Sequence, residues 1–306
     1  MLKYLLKRLG MGILTLFALT TITFFLMHII PGSPFAGEMD KLPASVKELM
    51  MRKYLLDQPI IVQFGAYLKN IARGDFGTSL VRKGTNVVDI IKLGLPYTAK
   101  VGASAFCTAM VFGILLGVVA AFSKSGFVQG LAAIIATVGV SVPSFLMALG
   151  LMWLFGVKMK ALPLIGLTSW KHFIMPSVAL ALHPIAMISR LVRSSLTEEL
   201  RQDYMILAVS KGTSRVKAIF KHALKNAIIP VITYAGPLLA SLLTGSFVIE
   251  TMFSIPGMGS EFVKSVTNRD YTLIMALTIM YGSMIIFANI LTDIVTAIVD
   301  PRIRLD

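Results

Sequence analysis

The side chains able to do chemistry are few, and their spacing does not favour catalysis. His28, His172, His183 and His222 are scattered, with no His-Glu-x-x-His pair, so metal-ligand spacing is missing. Cys107 is the single cysteine; it lies inside an apolar segment, excludes any disulfide or thiolate-rich metal site within the chain, and reads as a small packing residue. There is no Gly-x-Ser-x-Gly turn for a nucleophile and no Gly-x-x-x-x-Gly-Lys-Ser/Thr loop for a nucleotide phosphate. The chain is expected not to be an enzyme and to hold no metal or cofactor of its own. An ion-coupled carrier needs a titratable carboxylate near the bilayer midplane, and the apolar segments here are almost free of acids. Asp293 falls nearer the cytoplasmic end of the last segment, where a helix-end or inter-subunit contact is expected, and His183, beside Pro184, reads as a hydrogen-bonded packing residue.

What remains is the chemistry of docking. The stretch from Ser194 to Pro230 is the long polar interruption in the second half of the chain. Asp203 can N-cap a short apolar run from Tyr204 to Lys211, and Gly212 stands where a left-handed C-terminal residue belongs. A helix this short is marginal alone in water, so a face of Tyr204, Leu207 and Ala208 implies a partner surface. Ser214 can then cap a second helix in which Val216, Ile219, Phe220, Ala223, Leu224 and Ala227 recur at helical spacing, with Lys217, Lys221 and Lys225 as a basic stripe. A basic amphipathic helix can also rest on anionic headgroups, but that reading leaves the preceding apolar turn unexplained.

The elements that must carry this loop are membrane spans. Of 306 residues, 56% are hydrophobic and 14% charged, against about 25% charged in soluble domains. An all-α polytopic membrane protein follows, and the net charge of +14 belongs to loops flanking the spans rather than to a nucleic-acid surface. Lys3, Lys7 and Arg8 precede an apolar run from Leu9 to Ile30, long enough for a hydrocarbon core of roughly 30 Å, and no small-x-small cleavage site follows it. Residues 1–30 therefore read as a first span with a cytoplasmic N-terminus, and 31–96 as an external subdomain. Within that subdomain Asp57-Gln58-Pro59 and Gly74 to Ser79 mark turns, and Val62 to Ile71 predicts a helix. Residues 97–306 read as a five-span core, with spans at Thr98 to Phe122, Leu131 to Phe155, Phe173 to Leu191, Ile228 to Val248 and Leu273 to Val299. The loop at 194–230 and the C-terminus then lie inside, although Lys158, Lys160 and Lys171 fall outside. Pro143, Pro176, Pro184 and Pro237 predict bent helices, and Gly113 with Gly117 predicts close helix packing.

The loop residues also carry a family resemblance. Asp203-Tyr204, Ala208 to Gly212 and His222 to Pro230 resemble the cytoplasmic coupling loop of ABC importer permeases of the peptide-transport branch. Met1 to Tyr4, Pro31 to Phe35, Gly74 to Gly77, Thr244 to Thr251, Ile255 to Gly259, Asn268 to Tyr271 and Asp300 to Arg304 extend it along nearly the whole chain and are similar to oligopeptide permease B subunits. Ile206-Leu207-Ala208 stands where the general importer loop has Glu-Ala-Ala. The resemblance implies a type I importer transmembrane domain in a bacterial inner membrane. Its implied partners are a second homologous permease as heterodimer, two ABC ATPase subunits that use ATP and magnesium, and an external peptide-binding lipoprotein. The implied cargo is an oligopeptide, with dipeptides, a nickel chelate or glutathione as family alternatives. Asp203, Tyr204, Leu207, Ala208, Lys211 and Gly212 would form the ATPase-docking element, and Arg190 and Arg193 would anchor it at the membrane surface. Pro256, Gly257 and Gly259 would form an external turn that dips toward the pathway or meets the binding protein, a plain turn between helices being the simpler alternative. An ion-coupled secondary transporter or channel is the rival class.

Overall fold

Inside a bilayer each backbone polar group must be satisfied within its own segment, so apolar runs of this length fold as helices. The computed structural model describes residues 2–29, 43, 48–49, 51–52, 55–82, 84–166 and 169–299, and among them helices predominate, the only pairing of extended chain being an isolated antiparallel bridge between Thr78 and Asn86. In chain order the helices are α1 (Leu2–Ile29), α2 (Ile60–Ala72), α3 (Val87–Phe122), α4 (Gly126–Ser141) and α5 (Ser144–Leu151), which continues as a π-helical stretch, Met152–Lys158. A 3-10 turn, Trp170–Phe173, leads into α6 (Ile174–Glu199), followed by α7 (Asp203–Ser210) and α8 (Arg215–Ala218). A π-helical turn, Ile219–Ala223, joins α8 to α9 (Leu224–Ala227), and α10 (Ile229–Leu243), α11 (Phe247–Met252), α12 (Met258–Thr267) and α13 (Tyr271–Val299) complete the fold.

Four stretches, Lys3–Ile29, Val87–Phe122, Trp170–Glu199 and Tyr271–Ile298, are unbroken and apolar enough to cross a membrane. Two bent pairs raise the number to six if each is one crossing: α4 with α5 and its extension, bent by 111°, and Ile219–Ala227 with α10, bent by 47°. The single span expected from Leu131 to Phe155 is thus broken, because Val142 and Pro143 are extended and Pro143 starts a new helix. Other boundaries also move. α3 begins at Val87, with Pro96 inside it, rather than at Thr98; α6 runs through Ser194 to Glu199; and α10 ends at Leu243, well short of Val248, with Gly245 left-handed at φ +84°. The helix expected from Val62 to Ile71 is present as α2. Pro31 to Pro34 and Asp300 to Arg304 lie outside the described residues.

The centre of the bundle is α3 laid along α6. A Cβ on Gly113 would lie 2.7 Å from Ile188 Cβ, and one on Gly117 would lie 2.6 Å from Val192 Cβ, so these small residues let the two backbones approach. Ala105, Ala109, Val231 and Leu238 continue this core toward α10. Cys107 does not pack inside it but is exposed on the outer surface of α3. Asp293 is held within the chain by Arg8, whose Nη2 lies 2.9 Å from its Oδ2, which ties the start of α1 to the end of α13. His183 is exposed and has no hydrogen-bond partner among the described residues, contrary to the packing role expected of it.

Candidate functional site: an inner docking helix and an outer carboxylate clamp

α7 is built as a two-faced peg. Its N-cap is Gln202, with φ −74° and ψ 147°, and Asp203 is the first helical residue rather than the cap. There its carboxylate still faces the positive end of the helix dipole. At the other end the Gly212 N–H donates to the Val209 carbonyl at 2.9 Å and the Thr213 N–H to the Ala208 carbonyl at 3.1 Å, the paired pattern of a Schellman turn. Gly212 has φ +85°, as the sequence predicts. Lys211 is the exposed C-cap.

The inner face of α7 is Met205, 4% exposed, packed with Leu196, Ala218, Ile219, Ala223 and Ala227. Tyr204 and Ala208 turn partly toward that cluster, so they are not on the outward face expected for them. The Tyr204 hydroxyl donates to Glu199 Oε2, and Asn226 Nδ2 donates to Glu199 Oε2 at 3.3 Å and to the Tyr204 hydroxyl oxygen at 3.4 Å. Burial first, and the bond to Glu199 second, push the Tyr204 hydroxyl up to about 12. This network fastens α7 to the end of α6 and to α9. The outer face is Ile206, 64% exposed, Leu207, 55% exposed, and Val209, 46% exposed. With Asp203 and Ser210 at the flanking helical positions, Ile206 and Leu207 form one apolar face bordered by polar groups.

Ser214 does begin the second helix: its Oγ accepts from the Lys217 N–H at 3.4 Å. The π-helical turn at Ile219–Ala223 then rotates the register, which buries Ile219 and Ala223 but leaves Phe220 59% exposed. Phe220 is thus not on the inner face where the helical spacing puts it. Lys217, Lys221 and Lys225 are exposed, and the Val216 side chain lies outside the described residues.

Arg190 and Arg193 stand on the last turns of α6 and border two surface hollows. One is walled by Ala120, Ala132, Ala136 and Ser189, the other by Ser194, Thr197, Glu198 and Arg201. Neither arginine forms an ion pair with a described residue. His183, Arg190, Ser194 and Glu198 are all exposed and share a face of α6.

On the opposite side of the bundle the Pro-Gly-Met-Gly turn is clamped, not free. Pro256 is exposed, but Gly257, Met258, Gly259 and Ser260 are buried around Glu250, itself 2% exposed. Thr98 Oγ1 donates to Glu250 Oε1 at 2.7 Å, the Ser260 N–H donates to Oε2 at 2.8 Å, and the Met258 N–H donates to Thr98 Oγ1 at 2.7 Å. Gly257 has an ordinary φ of −96°, so its requirement is space: a Cβ there would overlap the Glu250 carboxylate. Burial pushes the Glu250 carboxyl above its ordinary value of 4.5, against the bonds from Thr98 and the Ser260 and Gly259 amides. A second buried acid, Asp270, takes Ser79 Oγ on one oxygen and the Leu80 N–H, at 3.1 Å, on the other, so it joins the outer loop to the start of α13. Arg82 reaches Glu261 at 2.6 Å across the same face. Neither Glu250, Thr98, Asp270 nor Ser79 is singled out by sequence reasoning. The available signal was an acid in the apolar run Phe247 to Met252, just ahead of a Pro-Gly turn.

Comparison with known proteins adds to this geometry. Residues 113–305 match the family described as binding-protein-dependent transport system inner membrane component, and residues 1–101 match the N-terminal region of the same kind of membrane component. The chain is 44% identical over 305 residues to the dipeptide transport system permease protein DppB of Bacillus subtilis, covering 100% of this chain and 99% of that one. It is 42% identical over 306 residues to the oligopeptide transport system permease protein OppB of Salmonella typhimurium, covering 99% and 100%. In fold it is similar to an amino acid ABC transporter structure (TM-score 0.54, 18% identity, 68% of this chain and 94% of that one). It is also similar to an inward-facing MetNI methionine ABC transporter (TM-score 0.54, 16% identity, 70% and 97%).

Proposed function

The chain belongs to the binding-protein-dependent transport system inner membrane component family, and from that premise we propose that it is the permease through which an ATP-driven importer takes up peptides. Dipeptides and oligopeptides are both compatible with the relatives it resembles at 41–44% identity. A second homologous permease completes the pathway as a heterodimer, two ATPase subunits work on the cytoplasmic side, and an external binding protein delivers the cargo. The setting is a bacterial inner membrane. ATP and magnesium are used by the ATPase subunits, and this chain hydrolyses nothing.

The observation that carries the reading is the outer face of α7. Ile206, Leu207 and Val209 are exposed on a helix whose other side is pinned by Met205 and the Tyr204, Glu199 and Asn226 network. An apolar face held so firmly suits a socket in a partner that pushes on it. A displacement of α7 is passed through Met205 and Leu196 to α6 and through α9 to α10, and rocking of packed helices of this kind exchanges inward and outward access. Arg190 and Arg193 flank the base of this lever on α6. The exposed polar face of His183, Arg190, Ser194 and Glu198 is ill suited to lipid and suits a second permease or a water-filled path. Against ion coupling stands Asp293, which Arg8 already occupies.

The test is Leu207→Asp in the assembled complex. Placing a charge on the docking face is expected to lower peptide uptake at least tenfold while the variant chain still inserts. Uptake at the unsubstituted rate would remove the docking role from α7.

A further inference from the structure

A cavity of about 470 Å3 opens on the outer side of the bundle, away from the α3 and α6 core. That volume lies within the roughly 300–1,000 Å3 of small-ligand sites. Five elements meet there: the end of α1, the turn at Leu55 and Leu56, α2, the loop from Asp75 to Asn86, and the first turn of α13. The floor is apolar, made by the buried Phe24, Met27, Leu80 and Met275. The mouth is polar. Asn70, Asp75 and Asn86 are exposed there, and the Asn86 side chain makes no cap bond to the helix it precedes. Asp75 Oδ1 accepts the Gly77 N–H at 2.8 Å, which leaves its second oxygen without a partner among the described residues.

Two further facts define what fits. Tyr67 lines the cavity, and its hydroxyl is buried with no hydrogen-bond partner among the described residues, while burial raises its pKa so that it remains a donor. Leaving such a group unsatisfied is unfavourable, so a ligand acceptor that reached it would remove a standing penalty. The charge of the described lining is one-sided. It includes a carboxylate and no lysine or arginine, and His28 already engages both ring nitrogens, Nδ1 with the Phe24 carbonyl at 2.8 Å and Nε2 with Gln63 Oε1 at 3.2 Å. An ammonium therefore finds a partner in Asp75, whereas a phosphate or carboxylate finds no lysine or arginine among the described lining residues. A phospholipid headgroup carries that unmatched phosphate.

We propose that this cavity is an accessory site for the N-terminal end of a short peptide. The α-ammonium sits at Asp75, the exposed amides of Asn70 and Asn86 take the first peptide groups, a large apolar first side chain enters the floor, and a peptide carbonyl accepts from Tyr67. The peptide C-terminus stays outside the mouth. The site rests on the peptide-transport reading above and lies beside the pathway, on the face where cargo arrives.

The test uses the assembled complex in nanodiscs without its binding protein, with the tripeptide Phe-Ala-Ala and its N-acetylated form as probes. The free tripeptide is expected to bind, and acetylation or Asp75→Asn to weaken binding about fivefold, as for an exposed ion pair. Asparagine keeps an acceptor for the Gly77 N–H, so the turn is preserved. Tyr67→Phe is expected to weaken binding about two- to tenfold without lowering thermal stability, because the lost hydroxyl has no hydrogen-bond partner among the described residues. A tripeptide with a diazirine on its first side chain should cross-link to Tyr67 or Met275. Equal binding of both probes, indifference to both substitutions, or cross-links confined to α6 or to lipid would overturn the site. Uptake of the same tripeptide by the complex with its binding protein is measured in parallel. Uptake without labelling of the cavity removes the accessory site alone, and absence of any peptide uptake removes the transport reading.

Discussion

Gly212→Val is the sharpest perturbation of the inner lever. Gly212 has φ +85° and nothing within 4 Å of the position a Cβ would take, so the added side chain meets no steric obstacle. The whole effect is backbone strain, about 1–3 kcal/mol for a non-glycine residue in the left-handed region and toward the upper end for a β-branched one. Since 1.4 kcal/mol is a factor of ten, the turn is disfavoured against other conformations by roughly 5- to 150-fold. Two bonds depend on that turn, Gly212 N–H to Val209 and Thr213 N–H to Ala208, and without them α7 is no longer aimed by the helix that follows. The assay is peptide uptake and peptide-stimulated ATP hydrolysis by the complete complex in proteoliposomes. Basal hydrolysis is expected to persist while stimulation and uptake fall together. Gly212→Asn should recover most of the loss, because asparagine enters the left-handed region more readily. Uptake by Gly212→Val at the wild-type rate, or failure of Gly212→Asn to do better than valine, would refute the argument that this turn aims the docking helix.

Gly257→Ala should disable the outer clamp, since its methyl group would overlap the Glu250 carboxylate. A loss of about 1–3 kcal/mol in the detergent-solubilised complex is expected, read as a fall in unfolding temperature, and unchanged stability would mean the turn is loose. Gly117→Leu should act similarly between α3 and α6, where Val192 Cβ leaves no room, and is checked by the same unfolding measurement. Glu250→Gln tests the clamp electrostatically. Because burial raises the Glu250 carboxyl in the folded state, its contribution is full below the ordinary 4.5 and is lost as pH rises through the folded value. The stability of wild type relative to Glu250→Gln should therefore fall as pH rises above about 4.5. A difference that grows with pH would show that hydrogen bonds, not burial, govern this carboxylate.

What the sequence discloses here is whatever depends on local pattern. Apolar runs locate the spans, Gly212 marks the left-handed turn from the residue type alone, and the small residues at 113 and 117 disclose where α3 and α6 touch. What it hides depends on contacts between distant residues or on register. The inward turn of Tyr204 follows from partners at 199 and 226, the exposure of Phe220 from a π-helical turn, and the exposure of His183 from which side of α6 meets α3. Glu250 is the clearest case. Its partner Thr98 is far away in the chain, so an acid that reads as part of a loop motif is in fact the centre of a buried clamp.

The claim on which the account depends is that force enters through the outer face of α7, and accessibility of Leu207 tests it most directly. A single cysteine at that position, with Cys107 replaced, would be labelled with a membrane-impermeant maleimide in inside-out vesicles, with and without the ATPase subunits. The account predicts strong labelling of the permease alone and protection in the complex throughout the transport cycle. Equal labelling in both, in vesicles whose complex still releases peptide, trapped in the lumen with binding protein, when ATP is added, would contradict it.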